Sequence, residues 1–289
     1  LKFTKMHGLG NDFIVIEDLA LSLRKTDRLA RRLCHRNYGI GADGLVLLQP
    51  SERALCRMRI INSDGSEAEM CGNALRCVGK YLYEKGMTQK TVFPLEVQSG
   101  IKTISLLTAG HTVSAVQVDM GEPVLESRLI PVCGENRRVI GEQISAAGCD
   151  FLMTAVSMGN PHCVIFRTDL TALPLDVWGP ALEEHELFPK KSNVHFVEVL
   201  SPREARLLVW ERGAGPTLAC GSGACAVLVA GVLNGKLERQ ATVHLPGGTL
   251  FVEWRGDNHV YMTGPAQEVF RGELSGVNDY QEDNREQGE

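Results

Sequence analysis

Two Cys-Gly pairs stand out for the chemistry they could do. Cys71-Gly72-Asn73 and Cys220-Gly221-Ser222 lie 149 positions apart in a chain of 289 residues. A thiolate accepts a proton and a thiol returns one. A matched pair of them is what inversion of a carbon acid requires, with a base on one face of the carbon and an acid on the other. The pairing therefore predicts racemisation or epimerisation at a carbon next to a carboxylate, with the developing charge stabilised by backbone N–H groups. A cysteine is more often a small packed hydrophobe, and Cys34, Cys56, Cys77, Cys133, Cys149, Cys163 and Cys225 are read as structural because nothing pairs them.

The elements that must position these thiols can be read around them. Cys71 opens a segment with Leu75, Val78 and Leu82 on one helical face, ending at Gly86. Cys220 opens one that is apolar nearly all round and stops at Gly235, the pattern of a helix threaded through a core. Both thiols thus fall at helix N-termini. Unpaired N–H groups and the positive end of the dipole favour negative charge there, so lowered thiol pKa values and a cradle for a carboxylate are expected. Gly72 and Gly221 let a substrate approach the backbone closely.

The 149-residue interval is not confined to the cysteines. Gly10-Asn11 recurs as Gly159-Asn160, each followed by an apolar run. Asp27 and Asp176 open amphipathic segments as candidate N-caps, and the apolar runs at 45–48 and 194–199 keep the same shift. Alternating hairpins follow, 103–107 with 113–118 and 250–254 with 259–262. The fold class read from this is α+β, with two pseudo-symmetric domains from an internal duplication. Each is a mostly antiparallel β-sheet or barrel wrapped around a central helix. The expected lobes are 1–120 and 121–271, with a flexible polar tail at 272–289.

Composition bounds the partners. A net charge of −5 with 30 Lys+Arg gives no field to neutralise many phosphates, so nucleic acid is not expected. Asp12, Glu17 and Asp18 interrupt the place where a signal peptide needs an apolar region. The longest apolar stretch, 224–233, is about half of the ~20 residues that cross a bilayer, so no membrane partner is expected. Nine cysteines without a CxxC pair fit free thiols in a reducing compartment, hence a cytoplasmic protein without structural zinc. Leu1 is read as a trimmed or alternative start.

At these residues the chain closely resembles the diaminopimelate epimerases. The resemblance rests on residues 3–13 (FTKMHGLGNDF), 62–67 (NSDGSE), 70–73 (MCGN), 158–162 (MGNPH), 211–215 (ERGAG) and 219–226 (ACGSGACA), in that order. It spans about residues 3 to 271. It implies conversion of LL-2,6-diaminopimelate to the meso form, for lysine and peptidoglycan precursors, with no cofactor: neither pyridoxal phosphate nor a metal. By the same resemblance Cys71 and Cys220 are the acid/base pair, and His162 and Glu211 are their polar partners, holding one as thiolate and the other as thiol. Substrate contacts fall on Asn11, Asn62, Asn73, Asn160, Asn193, Glu211, Arg212 and Ser222, with the backbone of Gly72 and Gly221. The chemistry agrees in outline, since Arg212 can grip a distal carboxylate with two hydrogen bonds and asparagines can serve carboxylate and ammonium alike.

The resemblance also implies a homodimer, with Phe270 near the contact. Closure of the lobes on a small-molecule substrate is expected separately, because carbanion chemistry requires exclusion of water and sites at domain interfaces commonly close. One position departs: some relatives carry Gln where this chain has Gly44, so that contact is absent or replaced, and the position 149 further on is Asn193. Rivals are another cofactor-independent racemase, such as those for proline or histidine, a thiol redox protein joining Cys71 to Cys220, and a binding module. Proline racemases carry His where this chain has Asn73.

Overall fold

Continuous apolar runs become the central strands. Ile14-Val15-Ile16 and Leu45-Val46-Leu47-Leu48 are buried along their whole length and lie side by side in parallel. That is the setting in which a strand is covered on both faces and loses the alternating pattern of a half-exposed one. The computed structural model describes residues 1–275. Its contacts divide the described chain into two units, Leu1–Val116 with residues 265–275, and Gln117–Gly264.

The first unit contains β1 (Lys2–Gly8), β2 (Asn11–Glu17), α1 (Thr26–Cys34), β3 (Gly44–Gln49), β4 (Arg57–Asn62), the two-residue β5 (Glu67–Ala68), α2 (Gly72–Glu84), β6 (Val92–Val97) and β7 (Gly100–Ala109). The chain leaves this unit within β8 (Thr112–Asp119). The second unit contains β9 (Glu142–Ala146), β10 (Cys149–Ser157), β11 (Pro161–Arg167), α3 (Leu175–Glu183), β12 (Asn193–Ser201), β13 (Glu204–Glu211), β14 (Gly215–Pro216), α4 (Gly221–Leu233), β15 (Gln240–Leu245), β16 (Gly248–Trp254) and β17 (Val260–Gly264). The last strand, β18 (Gln267–Glu273), lies antiparallel to β1 in the first unit.

The duplication is written into the pairing registers. Phe13 faces Gly44 across the parallel pair β2 and β3, and His162 faces Asn193 across β11 and β12, 149 residues further on in both strands. Leu45 opposite Ile61 becomes Val194 opposite Trp210 at the same shift. Both ends of α1 and of α2 reappear, equally displaced, as the ends of α3 and α4. Most other pairs are antiparallel, so each unit is the expected mostly antiparallel sheet around a helix.

That helix is central for a reason of composition. α4 is buried continuously from Gly223 to Gly231 and packs on β10, β11 and β16; a helix without a polar face has no side to offer water. α2 packs on β1 and β7, and Leu75, Val78 and Leu82 are sealed as expected. Both helices close on a left-handed glycine, Gly86 (φ 72°) and Gly235 (φ 65°), where a side chain would be strained.

Three expectations are corrected. Asp27 and Asp176 are the second residues of α1 and α3, which begin at Thr26 and Leu175 behind Lys25 and Pro174, so neither Asp is the cap. They still sit where the helix dipole favours an acid. The second lobe does not run to 271: the chain returns to the first unit at Pro265, because β18 completes its pairing on β1 and Leu1 exchanges backbone hydrogen bonds with Leu274. Gly272 and Glu273 are therefore strand rather than tail, and residues 276–289 of the expected tail lie outside the described residues. No helix among the described residues is long and apolar enough to cross a membrane.

Candidate active site

Each unit assembles half of the predicted constellation. In the first, Cys71 is the N-cap of α2, with extended backbone (φ −142°, ψ 116°) and its carbonyl already receiving the N–H of Leu75. Its thiol donates to Asn11 Oδ1 at 3.7 Å. Asn11 starts β2 immediately after a left-handed turn at Leu9 and Gly10 (φ 59° and 88°), and its Oδ1 also accepts from Asn73 Nδ2 at 3.0 Å. Gly72 is the buried first residue of α2. Asn62 ends β4, with its Nδ2 donating to Ser66 Oγ. Gly44 faces both Phe13 and Asn62 across its two neighbouring strands. A Cβ there would approach the carbonyl oxygen of Ile61 to 3.2 Å, so the departure at this position suits a tightly packed backbone.

Asn11 adjoins a charged cluster. Asp12 is held by Lys5 at 2.7 Å and Arg36 at 3.0 Å. Burial alone would raise its pKa, but the hydrogen bonds and charges of Arg36 and Lys5 outweigh that and hold it at about 2. Arg36 also reaches Asp43 at 2.8 Å.

In the second unit Cys220 is the N-cap of α4 (φ −124°, ψ 105°). It is buried, with its sulfur 3.6 Å from Ser222 Oγ. Burial and the neighbouring Glu211 carboxylate push this thiol well above its ordinary pKa. The expected lowering at a helix N-terminus is thus reversed at Cys220, because desolvation and a like charge exceed what the helix end supplies. Glu211, at the end of β13, also accepts from Thr217 Oγ1 at 2.5 Å.

His162 is fully buried, with its Nε2 2.9 Å from Asn160 Oδ1 and its Nδ1 2.8 Å from His195 Nε2. Burial first, then the charges of His195 and Arg212, hold His162 well below its usual pKa, and burial takes His195 to about 3. Both rings are neutral at physiological pH. Asn193 turns its amide to the backbone, donating to the Pro161 carbonyl at 2.8 Å and accepting the Arg212 N–H at 3.0 Å. Arg212 is exposed, with Nη1 on the Lys190 carbonyl. The turn that carries it is anchored by Glu183, which accepts from Trp210 Nε1 and from the Gly213 N–H.

The predicted residues therefore fall into local groups: Cys71, Gly72, Asn73 and Asn11; Cys220, Gly221, Ser222 and Glu211; Asn160 with His162; and Asn193 with the Arg212 backbone. Four residues that hold these groups, Asp43, Arg76, His195 and Glu183, were not singled out. Two carried a signal: Arg76 is a charged residue set between Ala74, Leu75, Cys77 and Val78 in α2, and His195 interrupts an apolar strand. The nine cysteines are all free thiols, and burial raises Cys34, Cys56, Cys77 and Cys163 to about 12, as packed residues should be. A cleft of about 500 Å³ in the first unit, lined by Phe3, Glu17, Tyr81 and Arg271 among others, contains none of the predicted residues.

Known structures share this architecture. A probable proline racemase from Agrobacterium radiobacter K84 with bound carbonate superposes with a TM-score of 0.71 over 95% of this chain and 92% of its own, at 15% identity. A hydroxyproline epimerase from Agrobacterium vitis gives 0.69 over 94% and 91%, at 16% identity. The fold is thus the duplicated one of the proline racemase and PhzF proteins. Sequence narrows it further. The family model for diaminopimelate epimerase matches residues 3–126 and 154–269. Curated diaminopimelate epimerases from Desulfitobacterium hafniense (53% identical, covering 95% of this chain and 98% of the relative) and Methanococcus maripaludis (51%, covering 95% and 99%) align almost end to end. The chain belongs to the diaminopimelate epimerase family.

Proposed function

We propose that this protein interconverts LL- and meso-2,6-diaminopimelate by moving a proton at one α-carbon between Cys71 and Cys220. The observation that carries the reading is the pair of Cys-Gly helix N-caps, one at the same place in each half of a duplicated fold. One sulfur, as thiolate, takes the α-proton, and the other, as thiol, delivers a proton to the opposite face; direction decides which does which. Glu211 beside Cys220 is the acceptor for that thiol's proton when Cys220 must act as the base. First-turn N–H groups beyond Gly72 and Gly221 receive the carboxylate on which charge develops. Arg212 takes the distal carboxylate.

The same reading includes closure of the two lobes on substrate, a cytoplasmic setting and a homodimer. Phe270 and Val269 are exposed on β18 and would be covered by a second copy.

The test is turnover in D₂O with LL-diaminopimelate, proline and histidine as separate substrates. Deuterium should enter the α-position of the meso product from diaminopimelate alone. Cys71→Ser and Cys220→Ser should each lose about three orders of magnitude in turnover, since a hydroxyl is a far poorer base than a thiolate at neutral pH. Inversion without deuterium, faster exchange with proline or histidine, or near-normal activity in either serine variant would overturn the proposal.

A further inference from the structure

A hydrogen-bonded chain runs through the two asparagines beside Cys71, and each of its ends works in one sense only. Arg76 is fully buried and carries only donors; its Nη2 donates to Asn73 Oδ1 at 2.9 Å. With its oxygen so engaged, Asn73 turns its Nδ2 to Asn11 Oδ1. At the far end the Asp43 carboxylate, an acceptor only, takes Asn11 Nδ2 at 2.8 Å and the Asp12 N–H at 3.0 Å on one oxygen, and Arg36 on the other. The two ends of a carboxamide are nearly equal in shape, so an asparagine fits its space either way round unless its partners choose. Here a guanidinium and a carboxylate choose. Gly8 leaves room for the arrangement, since a Cβ there would come within 2.9 Å of Arg76 Nη2.

We propose that Asp43 and Arg76 are positioning residues that fix the polarity of the Asn11–Asn73 pair, so that an oxygen and not an NH₂ group faces the Cys71 sulfur. This rests on the reading of Cys71 as an acid/base group. An oxygen in that place accepts from S–H and favours the thiol, whereas an amide nitrogen would donate to sulfur and favour the thiolate. The chain therefore biases the protonation state in which Cys71 waits. The device is private to the first half. The positions 149 residues beyond Asp43 and Arg76 are Ser192 and Cys225, and the second half's equivalent asparagine, Asn160, is met instead by His162.

The experiment is a double-mutant cycle of Asp43→Ala and Asn11→Ala, read in two ways. The first readout is the pH profile of iodoacetamide alkylation at Cys71, followed by mass spectrometry without substrate, which needs no catalysis. The second is kcat and KM for diaminopimelate. Asp43→Ala frees Asn11 to turn, so the Cys71 profile should move about half a pH unit or more to lower pH and kcat should fall about 10-fold. In the Asn11→Ala background Asp43→Ala should move the Cys71 profile no further. An unmoved profile, or equal shifts in both backgrounds, would overturn the proposal. Wild-type protein that shows the alkylation pattern yet epimerises nothing would sink the functional reading and leave the positioning intact.

Discussion

Nδ1 of His162 lies 2.8 Å from Nε2 of His195, and both rings are sealed from solvent. The pair has no equivalent in the other half, where the positions 149 residues earlier are Phe13 and Val46. His195 Nδ1 has no hydrogen-bond partner among the described residues. A bare ring lone pair is less costly to bury alone than an N–H. That places the protons on His195 Nε2, donating to His162, and on His162 Nε2, donating to Asn160 Oδ1. His195 thereby sets the tautomer that holds Asn160.

The pair makes the protein acid-sensitive with a definite sign. Above about pH 6.5 an unfolded histidine is also neutral, and burial of the two rings opposes nothing. Between there and about 3, the folded pKa of His195, the unfolded chain binds a proton that the folded one refuses. Stability should fall as pH drops through this window, by up to about 1.4 kcal/mol per pH unit for one such group. Urea midpoints at pH 7, 5.5 and 4 should decline less steeply in His195→Leu than in wild type, and parallel declines would refute the assignment.

Cys220 should be a slow thiol. Burial and Glu211 both disfavour its thiolate, so its alkylation at pH 7 should lag behind that of free cysteine by a factor of about 100 or more. Glu211→Gln removes the like charge. It should speed modification of Cys220 while cutting epimerase turnover about 100-fold, opposite changes that a general loosening of the fold would not produce. Peptide mass spectrometry alongside a turnover assay measures both.

Gly223 tests how closely α4 is seated. A Cβ at this position would meet His195 Cε1 at 2.4 Å and Cys220 Sγ at 3.1 Å. Gly223→Ala should therefore destabilise the protein by about 1–3 kcal/mol despite the better helix propensity of alanine. Turnover should fall with it. A urea midpoint at or above that of wild type would show that the ring and the helix have more room than their distances imply.

Arg212 should govern binding more than chemistry. Its guanidinium is exposed apart from one bond to the Lys190 carbonyl, and its backbone N–H is fixed by Asn193. Arg212→Ala should raise KM for diaminopimelate about 10–100-fold with a smaller change in kcat, the pattern of lost uniform binding. Arg212→Lys should recover only part, because an ammonium cannot make the forked pair. An unchanged KM would remove Arg212 from the site.

The duplication, the strand runs and the two Cys-Gly caps were legible in sequence because each is local. Apolar spacing sets which face of a helix or strand is buried, and an interval repeated at Asn11, Cys71 and their partners survives any change of side chains between. The all-apolar composition of α4 likewise announced its burial. What spacing could not carry was the return of β18 to β1, since Leu1 and Leu274 meet from opposite ends of the described chain. Nor could it carry the state of Cys220. A helix N-terminus argues for a thiolate, and only the surrounding burial and the approach of Glu211 reverse that sign. The roles of Asp43, Arg76 and His195 were illegible for the same cause, even though Arg76 and His195 stood out by residue type. A hydrogen bond's direction depends on which donor or acceptor the fold brings within about 3 Å, and in each case that partner comes from another segment of the chain. Sequence alone determined the family, the repeat and the pair of matched Cys-Gly caps; the tertiary structure decided the raised pKa of Cys220 and the orientation of the amides beside Cys71, because desolvation and hydrogen-bond polarity are properties of neighbours in space.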